Sequence, residues 1–313
     1  MIIAKSPLRI SIAGGGTDIP EFYSKHNSRF ISAAINKYSR VFLNSRTEED
    51  IRISYSKLEY ANSAAEVEHP IIRETLKHFN INGCIDIISA ADFPKESGLG
   101  SSGAFGVALT KALSVWTGHD EDVPELAYKI EREKLGRHIG KQDQYVSYNG
   151  GLNIYNIDKS GNVDIEKING TSFLESHLAL FYTGLTRNSE LVLKHLPNSM
   201  PQLELIQDLE TRAEEAIDNK DVYRLGKIFD THWSYKKSIA PEMSQSFIDI
   251  CYRSALENGA IGGKIIGAGG GGCLIFVYDT QEDYVKLHLA MTMKGLDEVK
   301  YKINTTGTEC TTW

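Results

Sequence analysis

The order of hydrophobic and polar positions predicts a first half in which strands come early and helices follow. Short runs rich in β-branched and aromatic residues, with partial alternation of apolar and polar positions, are typical of strands. Five such runs come first: Leu8–Ala13, Phe30–Ile35, Tyr38–Asn44, Ile51–Tyr55 and Cys84–Ser89. Ser101–Trp116 then carries apolar residues at helical spacing and has no proline. Pro124–Leu135 follows as a second helix that ends before Gly136.

The second half opens with a hairpin and then becomes mostly helical. Leu152–Ile157 and Asn162–Lys167 are predicted to pair through a turn at Asp158–Gly161. Beyond them the pattern predicts strands Leu178–Thr183, Cys273–Tyr278 and Val299–Ile303, and helices Pro201–Asn219, Asp221–Ser238, Gln245–Asn258 and Glu282–Lys294. This change from alternating strands and helices to a mostly helical pattern places a domain boundary near residues 160–175. It divides the chain into residues 1–170 and 171–313.

Composition and charge narrow the classes of function. The 313 residues include 34 basic and 41 acidic side chains, and the net charge of −7 excludes general coating of nucleic acid. No apolar run approaches the ~20 residues that span a bilayer. Lys5 and Arg9 interrupt the N-terminal stretch where a signal peptide would lie. The four cysteines are far apart, as in reduced proteins, so the sequence predicts a cytoplasmic protein that binds neither nucleic acid nor membrane.

The glycines are only slightly more frequent than average, but they are clustered. Of the 27, 18 fall within residues 14–16, 98–106, 136–151 and 262–272. Glycine lets the backbone approach a ligand closely. The clustering therefore predicts that a ligand approaches bare backbone at these stretches.

The stretch Gly98–Gly103 lies immediately before the first long predicted helix. Glycines there and the N-terminus of the helix together favour an anion, because both present backbone N–H groups. The structural alternative is an ordinary helix cap formed by Ser101 or Ser102. The longer run from Pro94 favours the anion site, and it is not a Walker A loop because no Gly-Lys-Ser/Thr follows at the required spacing.

A second glycine-rich stretch, Gly267–Gly272, formally matches the dinucleotide-binding pattern. It leads into the predicted strand Cys273–Tyr278, whereas the dinucleotide fingerprint runs from strand to glycines to helix. The sequence therefore predicts a backbone-rich loop near a ligand, or a tight turn, rather than a dinucleotide site.

Three carboxylates are candidates for chemistry. Glu131 and Asp143 lie near the end of the second helix, where each could equally be a solvated surface acid. Phosphoryl transfer to a hydroxyl needs such groups for Mg²⁺ and for the hydroxyl proton. Asp18 ends a strand and glycine turn that begin at Pro7. It could cap a helix at Ile19–Lys25 or accept hydrogen bonds from sugar hydroxyls.

In combination, these stretches resemble the motifs of the GHMP kinase superfamily, which includes galactokinase and homoserine, mevalonate and phosphomevalonate kinases. Pro7–Asp18, Pro94–Gly103 and Lys264–Gly272 are similar to its three motifs. Ile130-Glu131-Arg132 and Gly140-Lys-Gln-Asp143-Gln144 resemble the Ala-Glu-His and Gly-x-x-Asp-Gln segments of galactokinase-like members. The resemblance implies an α+β fold of two domains, the first ribosomal-protein-like and the second ferredoxin-like.

The resemblance also implies a role for each motif. ATP would be the phosphoryl donor, and Mg²⁺ would be held by Ser102 and Glu131. Asp143 would be the catalytic base, with Arg9 beside it to steady the charge of the transition state. The ATP-binding residues would be Pro94, Gly98, Leu99, Gly100, Ser101, Ser102 and Gly103. The substrate-binding residues would be Asp18, Gly14, Gly15, Gly16, Thr17, Gly269, Gly270, Arg187 and Lys141.

One departure bears on the substrate. Galactokinases carry Gly-Glu-His-Thr-Asp where this chain has Gly14-Gly15-Gly16-Thr17-Asp18. A Glu at this position would repel an anionic substrate, so its absence favours a sugar phosphorylated at its far end. This resembles the heptose-phosphate branch, which implies transfer to the anomeric hydroxyl of D-glycero-D-manno-heptose 7-phosphate for GDP-heptose synthesis. Fucokinase domains share the triple glycine, so a free-sugar kinase stays open. An idle sensor on a kinase fold is a further alternative, opposed by the intact motifs.

The group that would bind the distal phosphate is not determined by the sequence. Arg187 lies in a Thr-Gly-Leu-Thr-Arg segment that resembles this branch, and Lys141, His138 and Arg137 are further candidates. Each could equally be a solvated surface charge. The partners expected are ATP and a small sugar phosphate, and the oligomeric state is open, a homodimer included.

Overall fold

The computed structural model of the chain describes residues 1–185, 193–240 and 243–313. Within them the helices, numbered in chain order, are α1 Pro20–His26, α2 Pro70–His78, α3 Ser101–Thr117, α4 Val123–Lys129, α5 Gln142–Asn149, α6 Thr171–His177, α7 Met200–Asp218, α8 Val222–Lys237, α9 Ser246–Glu257 and α10 Gln281–Met293. The strands are β1 Ile2–Ala13, β2 Ser28–Ser45, β3 Ile51–Ser54, β4 Leu58–Ala61, β5 Ile85–Ala91, β6 Leu152–Ile157, β7 Val163–Lys167, β8 Leu178–Tyr182, β9 Gly262–Ile265, β10 Cys273–Val277, β11 Asp297–Glu298 and β12 Glu309–Thr312.

Eight strands form the first sheet, in the order β12-β1-β2-β5-β3-β4, with β6 and β7 branching from β2. The two strands predicted at Phe30–Ile35 and Tyr38–Asn44 are one strand, β2, of 18 residues. Its first part pairs with β6 and its second with β5, so it changes partners instead of turning. The polar residues Asn36 and Lys37 interrupt the apolar pattern although the strand continues through them, which is why the prediction divided it.

Helix α3 packs against the first sheet and buries its small and apolar side chains along most of its length. It begins at Ser101, as predicted, and ends at Gly118, whose φ of 73° ends the helix in the left-handed region. The backbone N–H of Arg9 on β1 donates to the carbonyl of Leu99, which holds the N-terminus of the helix beside β1. This placement is what brings the second motif to the first.

The second sheet has four antiparallel strands in the order β11-β8-β10-β9. Numbered within this unit, the order is 4-1-3-2 with helices after the first and third strands, which confirms the ferredoxin-like topology expected. The prediction of a strand at Val299–Ile303 is wrong. Val299 N–H donates to the carbonyl of Leu180, but the chain then leaves the sheet, and Ile303 makes a single bridge to Ile35.

The end of the chain returns to the first sheet. β12, which was not predicted, pairs antiparallel with β1, with Ile2 opposite Thr312. The division at residue 170 remains a prediction, and the topology adds that residues 309–312 lie with the first unit. Among the residues with described coordinates, no helix combines the length and apolar character needed to cross a bilayer.

Candidate active site

A cavity of about 380 Å³ is bordered by both halves of the chain. From the first half come β1, the glycine turn after it, the turn before α3 and the segment that leads into α5. From the second half come α7, α8 and the loop between β9 and β10. The predicted site residues that border it are Arg9, Gly15, Gly16, Asp18, Gly98, Gly100, Ser101, Ser102, Gly103, Glu131, Asp143 and Gly269.

The turn before α3 presents backbone to the cavity. Gly98 and Gly100 adopt φ angles of 80° and 76°, a region that glycine enters at little cost. A Cβ on Gly100 would lie 3.1 Å from Arg9 Cγ and 3.2 Å from Asp143 Cγ, so the missing side chain leaves room for that pair. The first N–H groups of α3 have no partner within the helix, and with the helix dipole they favour an anion.

An ion pair between Arg9 and Asp143 lies beside this turn. Arg9 Nε donates to Asp143 Oδ1 at 2.8 Å, and Arg9 Nη1 donates to the carbonyl of Gly98 at 2.5 Å. The Arg9 side chain is 5% exposed and that of Asp143 32%, so the carboxylate faces the cavity while the guanidinium lies behind it. β1 and the first turn of α5, 134 residues apart in sequence, meet at this pair.

Glu131 lies on a π-helical turn, not on the regular helix predicted at Pro124–Leu135. α4 ends at Lys129, and residues Ile130–Lys134 continue with the wider π-helical spacing. Such turns are frequent at functional sites because the extra residue rotates the following side chains. Glu131 is buried here and accepts a hydrogen bond from Ser102 Oγ at 2.7 Å.

Two further donors hold the Glu131 carboxylate. Arg137 Nη1 approaches Oε2 at 2.6 Å and Gln144 Nε2 donates to Oε1 at 3.0 Å. Burial raises the pKa of Glu131, and the hydrogen bond from Ser102 and the charge of Arg137 act in the opposite direction. The carboxylate is therefore oriented and neutralised by its neighbours.

Asp18 is buried at the other side of Asp143. Its Oδ2 accepts the backbone N–H of Gln142 at 2.8 Å, so it does not cap α1, whose N-cap is Ile19 and lacks a side-chain cap. Burial raises the pKa of Asp18, and the nearby charge of Asp143 raises it further, while the Gln142 N–H lowers it. A Cβ on Gly140 would lie 2.0 Å from Asp18 Oδ2, so that glycine is required for the contact.

Several predicted residues do not border the cavity. Pro94 is exposed. Leu99 is buried in the core, and its carbonyl accepts the Arg9 N–H. Gly14 and Thr17 bond to each other behind the turn, since Thr17 Oγ1 donates to the Gly14 carbonyl at 2.8 Å. Gly270 lies against Met243, to whose carbonyl its N–H donates.

Of the side chains predicted as candidates for the distal phosphate, some border the cavity and others do not. Lys141 is buried away from the cavity, where its Nζ lies 2.6 Å from Glu125 Oε2 and donates to the Gly161 carbonyl at 2.7 Å. His138 is exposed. Arg187 lies outside the described residues. Arg137 does border the cavity, at Glu131 and Ser102.

Three titratable cavity residues on the C-terminal side were given no role from the sequence, although Lys264 begins the third motif. His232 and Lys236 lie one turn apart on α8, and Lys264 lies on β9. Lys264 Nζ is buried, donates to the carbonyl of Ile12 at 2.6 Å and lies 3.3 Å from His232 Nδ1. Burial lowers the pKa of both groups well below the ordinary values. The i, i+4 spacing of His232 and Lys236 was the available signal, but it is also that of a solvated helix face.

Apolar side chains form a wall next to the first glycine turn. A Cβ on Gly16 would lie 3.5 Å from Leu203 and 3.9 Å from Leu196. This wall consists of Ile19, Ile139, Leu193, Leu196, Leu203, Ile206, Ile239 and Met243. The cavity thus has a polar floor around Asp143 and an apolar side contributed largely by the second half of the chain.

The clustered glycines serve backbone contacts as well as the cavity. A Cβ on Gly98 would lie 2.4 Å from the carbonyl of Ile266, and one on Gly272 would lie 2.4 Å from that of Ser97. The second and third motifs therefore pack backbone to backbone. The expectation that the glycines clear space for ligands accounts for only part of their clustering.

Comparison with known proteins identifies similar chains. The D-glycero-alpha-D-manno-heptose 7-phosphate kinase of Campylobacter jejuni is 28% identical over 308 residues, which cover 90% of this chain and 91% of that protein. The L-fucokinase/L-fucose-1-P guanylyltransferase of Bacteroides fragilis is 23% identical over 93% of this chain, which spans only 36% of that protein.

Among solved structures, a D-glycero-D-manno-heptose 1-phosphate kinase from Bacteroides thetaiotaomicron superposes with a TM-score of 0.83. The superposition covers 100% of this chain and 99% of that one, at 22% identity, so the likeness concerns the fold.

Two family models match the chain. The GHMP kinases N terminal domain matches residues 59–151, and the GHMP kinases C terminal domain matches residues 213–292. The first match includes the turn before α3, Glu131 and Asp143, and the second includes α8 and the loop between β9 and β10. The chain therefore belongs to the GHMP kinase family, whose members use ATP, and is a phosphotransferase with an alcohol group as acceptor.

Proposed function

We propose that the chain transfers the γ-phosphoryl group of ATP to the anomeric hydroxyl of D-glycero-D-manno-heptose 7-phosphate. The observation that carries the proposal is the position of Asp143. It lies between the anion-favouring turn before α3 and the polar side of the cavity around Asp18. A nucleotide phosphate on one side and a sugar hydroxyl on the other would both be within reach of this carboxylate.

In the proposed reaction the hydroxyl oxygen attacks the γ-phosphorus and Asp143 takes the hydroxyl proton. The bond between the γ-phosphorus and the bridging oxygen breaks, and ADP leaves. Arg9, bonded to Asp143 and to the Gly98 carbonyl, holds the carboxylate in place and adds positive charge near the transferring group. The turn at Gly98–Gly103 binds the triphosphate through backbone N–H groups.

The donor set around Ser102 fits Mg²⁺. A carboxylate and a hydroxyl oxygen lie 2.7 Å apart at Ser102 and Glu131, and hard oxygen ligands of this kind suit the ion. Among the described residues no cluster of three or more His, Cys, Asp or Glu side chains could hold a metal. Two protein ligands completed by phosphates and water are usual for Mg²⁺. When bound, the ion would neutralise charge on the β and γ phosphates.

Two observations support the proposed acceptor. The Campylobacter jejuni relative, alike over nine-tenths of both chains, is named for heptose 7-phosphate. Asp18 and the backbone at Gly15 and Gly16 border the cavity where sugar hydroxyls would bind. A kinase for an unphosphorylated deoxy sugar is the second candidate. The apolar wall at Leu196 and Leu203 would suit a methyl group, and a fucokinase is among the relatives.

A substrate panel tests the proposal. Purified protein with ATP and Mg²⁺ is assayed for ADP release on heptose 7-phosphate, heptose 1-phosphate, fucose and galactose. Phosphorus NMR then locates the new phosphate. We expect turnover on heptose 7-phosphate, with the new phosphorus coupled to the anomeric proton. Turnover on fucose alone would favour the second candidate. Turnover on heptose 1-phosphate alone would place the transfer at the other end of the sugar.

A further inference from the structure

We propose that Arg137 is a built-in cation that holds the metal ligands before nucleotide binds and then moves onto the phosphates of ATP. The inference rests on the proposed function, because it takes Ser102 and Glu131 as the ligands of Mg²⁺. What is new is the exchange of a side chain for the ion.

The geometry places one guanidinium nitrogen on both ligands. Arg137 Nη1 lies 2.6 Å from Glu131 Oε2 and 3.2 Å from Ser102 Oγ, while those two oxygens are 2.7 Å apart. The three atoms form a closed triangle. A buried carboxylate is unfavourable without a positive partner, and Arg137 supplies one. The guanidinium thus contacts the two oxygens that the ion would take.

Arginine and metal cannot share these oxygens. A divalent ion on Glu131 Oε2 and Ser102 Oγ would lie within a few ångströms of the guanidinium, and the two positive charges would repel. Gln144 Nε2 donates to Oε1, the other carboxylate oxygen, so Glu131 keeps its orientation when Arg137 leaves. Metal binding therefore requires that Arg137 move, but not that Glu131 move.

The backbone around Arg137 allows the side chain to move alone. Arg137 N–H donates to the Glu131 carbonyl at 3.1 Å, and the Arg137 carbonyl accepts from Arg132 Nη1 at 3.3 Å. The Arg137 side chain is 24% exposed and borders the same cavity as Gly98–Gly103. A guanidinium has the planar fork that binds phosphate oxygens in pairs. The triphosphate is the acceptor that a short swing of this side chain would reach.

Two opposite effects follow for a variant that lacks the charge. Without nucleotide, Arg137→Gln should bind Mn²⁺, used as a probe for Mg²⁺, about tenfold or more tightly than the wild type, because the competing cation is gone. Affinity for ATP in the presence of Mg²⁺ should fall several-fold, because the phosphates lose a partner. A residue with a merely structural role would not change these two affinities in opposite directions.

The test measures Mn²⁺ binding by electron paramagnetic resonance and nucleotide binding by calorimetry. Lys129→Gln is the matched control, since it removes one positive charge at the end of α4, and it should leave both affinities unchanged. Equal Mn²⁺ affinity in Arg137→Gln and the wild type would overturn the inference. Arg137→Lys serves if the Gln variant is unstable. Its single ammonium should compete less well, so Mn²⁺ affinity should rise, and an unchanged affinity would likewise overturn the inference.

Glu131→Gln separates failure of the inference from failure of the proposed metal site. If this variant binds Mn²⁺ as well as the wild type, the assignment of Glu131 is wrong. If it loses Mn²⁺ while Arg137→Gln shows no gain, the metal site stands and the exchange does not.

Discussion

Asp143 and Arg9 are the two side chains on which the proposed reaction depends most directly. They meet because β1 and α5 cross beside the turn before α3. A carboxylate that receives a proton loses this ability when it becomes an amide of the same shape. Substitution of Asp143 by Asn is therefore the most direct test of the mechanism.

Asp143→Asn should lower kcat by two or more orders of magnitude while ATP affinity changes only a few-fold. The charge and the basic oxygen are lost, but the contacts of the turn with phosphate remain. Steady-state kinetics and nucleotide calorimetry measure the two quantities. A variant with a kcat within a few-fold of the wild type would show that Asp143 is not the base.

At the scale of elements, α3 approaches α5 more closely than any side chain at position 103 would allow. A Cβ on Gly103 would lie 2.5 Å from Asp143 Cβ and 3.2 Å from the Asp143 carbonyl carbon. One turn further on, a Cβ on Gly106 would lie 3.6 Å from Glu131 Oε1, an ordinary contact. The same helix thus offers a crowded glycine and an uncrowded one.

Gly103→Ala should displace Asp143 and lower kcat at least tenfold, with a loss of roughly 1–3 kcal/mol in the free energy of unfolding from overpacking. Gly106→Ala is the control, and it should raise that free energy by up to ~1 kcal/mol because alanine favours helix. Kinetics and urea unfolding check both variants. Similar effects of the two substitutions would mean that close packing of α3 on α5 does not position Asp143.

At the scale of the whole molecule, Lys264 and His232 join the two sheets. Lys264, on β9 of the second sheet, donates to the carbonyl of Ile12 on β1 of the first, and His232 on α8 lies beside it. Burial lowers the pKa of His232 well below 6.5, and the charges of Lys264 and Lys236 lower it further. The junction is thus built around an imidazole that is neutral in the folded protein.

The contribution of His232 to the stability of the molecule should therefore become unfavourable as the pH drops below 6.5. The unfolded chain takes up a proton at His232 near its ordinary pKa, whereas the folded chain does not, so this group lowers the free energy of unfolding by about 1.4 kcal/mol per pH unit in that range. Urea unfolding between pH 7.5 and 5 should show a steeper fall for the wild type than for His232→Gln. His138→Gln, at an exposed position, controls for loss of an imidazole. Parallel curves for the wild type and His232→Gln would contradict the assignment.

Local pattern alone predicted much of the fold. The helix at Ser101 and two strands of the second sheet, β8 and β10, were predicted, since their side-chain periodicity follows from their own backbone geometry, whereas β9 was not predicted. The resemblance to the family's motifs predicted that Arg9, Ser102, Glu131 and Asp143 share one site. In the structure all four border the cavity. The assigned roles of these residues stay predictions.

Only the tertiary structure decided which charged side chains face the cavity. Lys141, two residues from Asp143, is buried against Glu125, whereas Lys236 and Lys264 reach the cavity from the other half of the chain. Likewise β12 returns to β1, and Arg137 closes on Ser102 across 35 residues. The sequence pattern around a charged residue does not reveal its partner, because the direction of the side chain depends on what packs against the helix or strand that carries it. The sequence therefore determined the chemistry available, and the packing of the two halves decided where each charge acts.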